Sequence, residues 1–217
     1  MTVFAVTLGT DATMQLDEKA RWNQKYSEGS HTSLEPDPLL VSAYDEFLAA
    51  RPPGSALDVA GGAGRHALWL ADRGWKVKLV DISEVAIQAA QKNAEKKNAD
   101  KKNDGAQPPP AVMKGSISAE VVDLNTTHDL GYEQYDLVIV ICYLQRELFP
   151  SLISALKPDG LLIFKTYNTA HQGSGGPSNP EFLLQPNELL RAFQSLRVLH
   201  YHEALTEKCV TEMVARK

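Results

Sequence analysis

Cysteine is nearly absent: the chain of 217 residues has two, Cys142 and Cys209, far apart and in no metal-like spacing. That sets aside a disulfide framework, gives no reason to expect a metal centre, and points to free thiols in a cytoplasmic protein. Long apolar runs are missing too. No uncharged stretch approaches the roughly 18 residues that suggest a spanning helix, so no membrane partner is expected. The apolar beginning "MTVFAVTLGTDATMQ" carries no basic residues ahead of it and soon meets Asp11, which argues against a signal peptide. Nor is there an excess of positive charge: lysine and arginine number 22 against 27 aspartates and glutamates, a formal charge of −5. A nucleic-acid binder usually carries a basic face, so nucleic acid is not the expected partner, although a local patch would suffice for one. Internal repeats are also absent from the sequence.

Apolar residues make up 43% of the chain and charged residues 23%, the balance of a soluble globular protein. The length suits one α/β domain with a full core and is short for two. We expect a single domain over residues 1–217, with 1–36 as an N-terminal cap segment and 37–217 as the core. "LEPDPLLVSAYDEFLAARPPG" predicts a helix that opens on turn residues and stops at Pro52-Pro53-Gly54. "SALDVA" predicts a buried strand and "GRHALWLADRG" a helix closed by Gly74. "WKVKLVD" is the second strand, and "SEVAIQAAQKNAEKKNAD" the next helix, with Ser83 as its N-cap. After the loop "KKNDGAQPPP" come "ISAEVVD" and "YDLVIVICYL" as third and fourth strands and a helix within "QRELFPSLISALKPDG". "LLIFKTYN" is the fifth strand, "HQGSGGPSNPEF" a glycine- and proline-rich loop, and "PNELLRAFQSL" a helix. "RVLHYHEAL" and "KCVTEMVARK" close the chain as two strands around a turn near Thr206-Glu207, a connection short enough to force them antiparallel. The alternation of strand and helix predicts an α/β fold. It is a doubly wound, seven-stranded, mostly parallel Rossmann-like sheet with a C-terminal antiparallel hairpin.

The stretch "LDVAGGAGRHALWLADRGWKVKLVDIS", residues 57–83, carries the chemistry. A strand-to-helix turn at the carboxyl edge of an open α/β sheet is where such sheets bind ligands. Gly61, Gly62 and Gly64 let the backbone approach a ligand more closely than a Cβ would permit. Their spacing fits the dinucleotide fingerprint poorly, since the third glycine of that pattern would fall where His66 stands. Asp58, just before the turn, would repel a pyrophosphate but suits an ammonium group or its water shell. Asp81, ending the second strand, is placed to accept both hydroxyls of a ribose. The implied ligand has a ribose and a cationic end but no phosphate, the pattern of S-adenosylmethionine. A glycine turn that merely packs a helix, flanked by surface carboxylates, is the plainer alternative.

Taken with "YDLVIV", "LKPDGLLIFKTYN" and the terminal hairpin, this stretch resembles motif I and the acidic motif of class I S-adenosylmethionine-dependent methyltransferases. Within them the chain is most similar to the small tellurite-resistance and thiopurine-methyltransferase-like group, through "RWNQKYSEG" and "NPEFLLQPNELLRAF". Ala60 departs from the family pattern, standing where the first glycine is common, and we expect it to be tolerated. The resemblance implies that Ala60, Gly61, Gly62 and Gly64 lie along the methionine part of the cofactor. It further implies that Asp81 holds the ribose, Ile82 flanks the adenine, Asp123 contacts the adenine amino group with Leu124 beside it, and Ile141 and Cys142 sit near the sulfonium. Asp123 can equally be the N-cap of a short helix. Trp22 and Tyr26, four apart, would cover the sulfonium or substrate, or else staple an N-terminal helix. Arg21 is either a contact for the cofactor carboxylate or a solvated arginine.

For the acceptor side, Tyr143, Gln145, Arg146, Tyr167, Asn168 and His171 follow the fourth and fifth strands at the same edge. No residue stands out as a general base, and His66 is expected to pack or hydrogen-bond locally. A soft nucleophile needs little such help, whereas an amine or hydroxyl usually does. The expected activity is therefore methyl transfer to a small soluble acceptor, a thiol or a chalcogen oxyanion, by a monomer or homodimer. A protein or RNA methyltransferase and a non-catalytic cofactor-binding subunit are the alternatives. The "HQGSGGPSNPEF" loop has the composition of a lid over the acceptor, or of an ordinary connection.

Overall fold

A computed structural model of the protein describes residues 11–103, 115–170, 176–206 and 208–217. Helices α1 (Asp11–Ser27) and α2 (Pro38–Phe47) precede the first strand. Strands β1 (Ser55–Val59), β2 (Lys76–Asp81) and β3 (Ser116–Val121) alternate with α3 (Arg65–Ala71) and α4 (Glu84–Asn103). Then come β4 (Tyr135–Ile141), α5 (Phe149–Ala155), β5 (Leu156–Tyr167), α6 (Glu188–Ala192), β6 (Arg197–Glu203) and β7 (Val210–Arg216). The seven strands form one sheet in the order β3-β2-β1-β4-β5-β7-β6. The pairs among β1 to β5 are all parallel, and β7 runs antiparallel to both β5 and β6. The closing hairpin therefore folds back so that its second strand enters between the fifth and the sixth.

Period-two alternation builds the two cores. On one face Leu57, Val59, Val138, Val140, Leu162 and Phe164 pack under α5 and α6. There Phe149, Phe164 and Phe193 form a ring cluster with centroids 5.1–5.9 Å apart. On the other face Ala56, Leu79, Leu137, Ile139, Leu161 and Ile163 meet α2, α3 and α4 through Leu40, Ala67, Leu70 and Ala90. Asp58 shares the parity of Ala56 and so points into this second face, toward α3. Central strands covered on both sides read as nearly continuous apolar runs; β4, "YDLVIVI", is buried at five successive positions.

Capping chemistry places the helices. Asp37 N-caps α2 by accepting from the Leu39 amide at 2.9 Å, with Pro38 at the first helical position. The Ser83 hydroxyl accepts from the Ala86 amide at 3.1 Å, as expected of the α4 cap, and donates to Asn23 of α1 at 2.7 Å. Gly74 ends the α3 segment at φ 88°. Three expectations are corrected. The helix predicted within "QRELFPSLISALKPDG" ends at Ala155, because Leu156 already pairs with Tyr135 and "KPDG" belongs to β5. Strand β3 stops at Val121, so Asp123 lies beyond the strand rather than at its end. Helix α6 is only five residues long. No helix among the described residues is long and apolar enough to cross a membrane.

Candidate functional site

At the carboxyl ends of β1, β2, β4 and β5 lies a crevice of about 780 Å³, roofed by α1 and the loops that follow α1 and β5. Its floor begins at the turn after β1. Ala60 adopts φ 53° and Gly62 φ 56°, so the chain reverses through left-handed conformations. A Cβ at Gly61 would fall 2.7 Å from the Asp58 carboxyl carbon, and one at Gly62 would fall 2.3 Å from the Tyr26 phenol oxygen. Ala60, Gly61 and Gly62 line the crevice. Gly64 does not: at φ 85° it seats α3 against α4, where a Cβ would meet Ala90 at 3.1 Å.

Asp81 reaches the same crevice from the end of β2. Its two oxygens accept the Gly62 and Ser83 amides, each at 2.9 Å, which ties the glycine turn to the second strand. Burial holds its carboxyl above the usual aspartate range, while the two amide hydrogen bonds pull the other way. Asp58 is 1% exposed and stays behind the turn rather than lining the crevice. Its Oδ1 lies 3.6 Å from Nδ1 of His66, which is 3% exposed. Among the described residues, Asp58 Oδ2 and both His66 ring nitrogens have no hydrogen-bond partner.

The roof carries the aromatics. Trp22, Tyr26 and His31 form a cluster of mutually tilted rings with centroids 5.7–6.1 Å apart, and all three line the crevice. Lys25 lies 4.4 Å over the Trp22 ring. Burial, reinforced by the Asp81 charge, pushes the Tyr26 phenol far above its usual range. Burial and then Lys25 and Arg65 lower the His31 imidazole, which favours its neutral form. Trp22 and Tyr26 thus do share one face, but over the ligand crevice.

At the ends of β4 and β5, Ile141, Cys142, Tyr143, Gln145 and Tyr167 line the crevice, with Ile82 and Leu124 nearer β2 and β3. Cys142 is open to the crevice at φ 61°. The protein crowded around it removes enough water to push its thiol up, so it is not poised as a thiolate. Burial, with Glu18 and Asp123 nearby, likewise keeps Tyr143 a phenol, a donor rather than a base.

Three expected contacts are placed elsewhere. Asp123 caps a turn, accepting from the Asn125 amide at 2.9 Å, and does not line the crevice. Arg146 turns away from it: Nε and Nη2 hold Glu188 at 2.6 and 3.0 Å, and the guanidinium also donates to the carbonyls of Glu181 and Leu183. Asn168 is buried against Ala204 and Thr211. His171 lies outside the described residues. Of the expected lid, Gly176, Pro177, Ser178, Asn179 and Phe182 line the crevice.

The sequence reading missed Arg65 and His31. Arg65 follows the glycine turn directly, so its position at the sheet edge was legible. His31 arrives through an irregular loop, with φ 57°, that no periodic pattern announces.

Comparison with known proteins follows the same lines. Residues 37–206 match a family described as a methyltransferase domain. A methyltransferase-named protein of Geobacillus sp. (strain WCH70) is 32% identical over 122 residues, 52% of this chain. The chain spans only 42% of that relative's length. Among solved structures, TehB from Haemophilus influenzae superposes with a TM-score of 0.66 at 18% identity, over 90% of this chain and 67% of its own. A SAM-dependent methyltransferase from Methanosarcina mazei gives 0.58 at 16% identity, over 84% and 98%. At such identities these two likenesses speak for the fold.

Proposed function

Because the chain belongs to the methyltransferase domain family across residues 37–206, we propose that it is an S-adenosylmethionine-dependent methyltransferase acting on a small soluble acceptor. A thiol or a chalcogen oxyanion is the favoured nucleophile, and the tellurite-resistance-like grouping is part of this proposal, supported by the likeness to TehB. One observation carries the reading. The acid at the end of β2 and the glycine- and alanine-built turn after β1 open onto a single crevice of about 780 Å³.

The residues fit the cofactor. Asp81 spends one lone pair of each oxygen on an amide, which leaves acceptor capacity for two ribose hydroxyls. Ile82 and Leu124 offer apolar surface for a base. Beneath the turn, an Asp58 oxygen without a partner among the described residues would face the methionine end of a bound cofactor through the glycine backbone.

When bound, S-adenosylmethionine supplies an activated methyl group whose leaving group is a neutral thioether. The protein's part is then to align the acceptor and exclude water. Trp22 and Tyr26 close the crevice from above, with ring faces suited to a cation. Tyr143 and Tyr167 can donate to an acceptor oxygen, and the neutral imidazole of His31 on the crevice wall can take the proton that a thiol loses, whereas an oxyanion needs no such help. Incubation with methyl-labelled cofactor and a panel of thiols, selenite and tellurite tests this reading. Labelled methyl product is expected. Inactivity across the panel, with label entering protein or RNA of a cell extract instead, would transfer the reading to a macromolecular acceptor.

A further inference from the structure

Most buried or half-buried cations of this protein have carboxylate partners. Lys165 lies 3.0 Å from Asp37 and 2.8 Å from Glu212, and Arg146 grips Glu188. Arg65 does not. It is the first residue of α3, is half-buried and lines the crevice. It shares the crevice wall with Cys142, and among the described residues it makes no ion pair. It lines the crevice together with Tyr26 and His31 of the roof and Cys142 at the end of β4.

The local charge balance deepens the oddity. Arg21, Lys25 and Arg65 all line the crevice, against Glu18 and Asp81. Asp81 is committed to two amides, and Glu18 lies 3.9 Å from Arg21. A guanidinium on the crevice wall, with five donors and no ion pair among the described residues, has donors to offer an anion that enters. Its planar fork matches carboxylates and oxyanions. We infer that Arg65 is an anion-binding residue of this crevice, taking a carboxylate or oxyanion group. That group comes either from the methyl acceptor or from the amino-acid end of the cofactor. The assignment of the source rests on the cofactor reading above; the anion site itself does not.

Cys142 is a built-in reporter, since it opens onto the crevice beside Arg65 whereas Cys209 is buried. In the full chain, the rates of Cys142 alkylation by iodoacetate and by iodoacetamide, followed by mass spectrometry, give an anionic-to-neutral ratio. Any change in thiolate fraction cancels from that ratio. We expect the wild-type ratio to exceed that of glutathione at least fivefold, Arg65→Gln to abolish the excess, and Arg65→Lys to keep part of it. A wild-type ratio equal to glutathione's, which needs no variant to fold, overturns the inference, as does an Arg65→Gln ratio equal to wild type. Calorimetry then separates the sources. Arg65→Gln that weakens S-adenosylhomocysteine about tenfold but spares methylthioadenosine, which lacks the amino-acid end, assigns the anion to the cofactor. Both affinities unchanged assigns it to the acceptor. If neither nucleoside binds wild-type protein, the cofactor reading fails while the alkylation ratio still decides the anion site.

Discussion

At the residue scale, two positions of the turn region make opposite demands on the backbone and the charge. Ala60 holds φ 53° with a Cβ present, a conformation that costs an L-residue on the order of 1–2 kcal/mol relative to glycine. Part of that is returned by glycine's greater freedom when unfolded, so Ala60→Gly should raise stability by ~0.5–1 kcal/mol in urea titrations, with affinity for S-adenosylhomocysteine kept. Destabilisation by this substitution would show that the methyl group packs productively. Asp81 is read by pH. Its raised carboxyl pKa means that its own contribution to folding is full below the ordinary aspartate value and is lost as pH rises through the folded value. Ligand grip runs the other way, because a ribose hydroxyl needs an ionised acceptor. Affinity for S-adenosylhomocysteine should therefore fall as pH is lowered, beginning above the usual aspartate range, and Asp81→Asn should flatten the profile. Asp81→Ala should cost ~1.5–3 kcal/mol of binding; an unchanged affinity would remove Asp81 from the ribose.

At the element scale, one side chain ties the stretch before α6 to the end of β4. Arg146 joins the 3₁₀ turn after β4 to Glu188 at the start of α6 and to the carbonyls of Glu181 and Leu183. It thereby fixes the stretch whose Phe182 lines the crevice. With the arginine a little over a third exposed, Arg146→Ala should cost ~1–2 kcal/mol after allowance for solvent screening. Amide exchange over residues 180–188 should quicken, and Glu188→Gln should add little to the arginine variant. Full additivity of the two would mean that the pair does not couple. Sequence position put Arg146 at the functional edge, but which way a long side chain turns depends on Glu188, forty-two residues onward, and no local pattern carries that. Asp123 was ambiguous for a similar reason: an acid after a strand can face a ligand or cap the next turn, and the amide of Asn125 decided it. By contrast, the periodicity of "SALDVA" and "YDLVIVI", the Ser83 cap and the antiparallel close were legible, because each follows from local spacing. The insertion of β7 between β5 and β6 was not, since hairpin geometry fixes pairing but not the side on which the pair joins the sheet.

At the scale of the whole molecule, a net charge of −5 coexists with a crevice in which Arg21, Lys25 and Arg65 outnumber the lining acids. Those three cations stand where a small anion could reach them. The parallel sheet supplies the edge, the turn after β1 supplies close approach, and α1 with its aromatics supplies cover. For the proposed methyl transfer, the crevice must receive a nucleoside with a ribose, a cationic end and no phosphate. The direct measurement is a pair of calorimetric titrations of the full chain, one with S-adenosylhomocysteine and one with NADH. The account predicts saturable binding of the first at one site per chain and no heat from the second; binding of NADH in place of S-adenosylhomocysteine, or of neither, would contradict it.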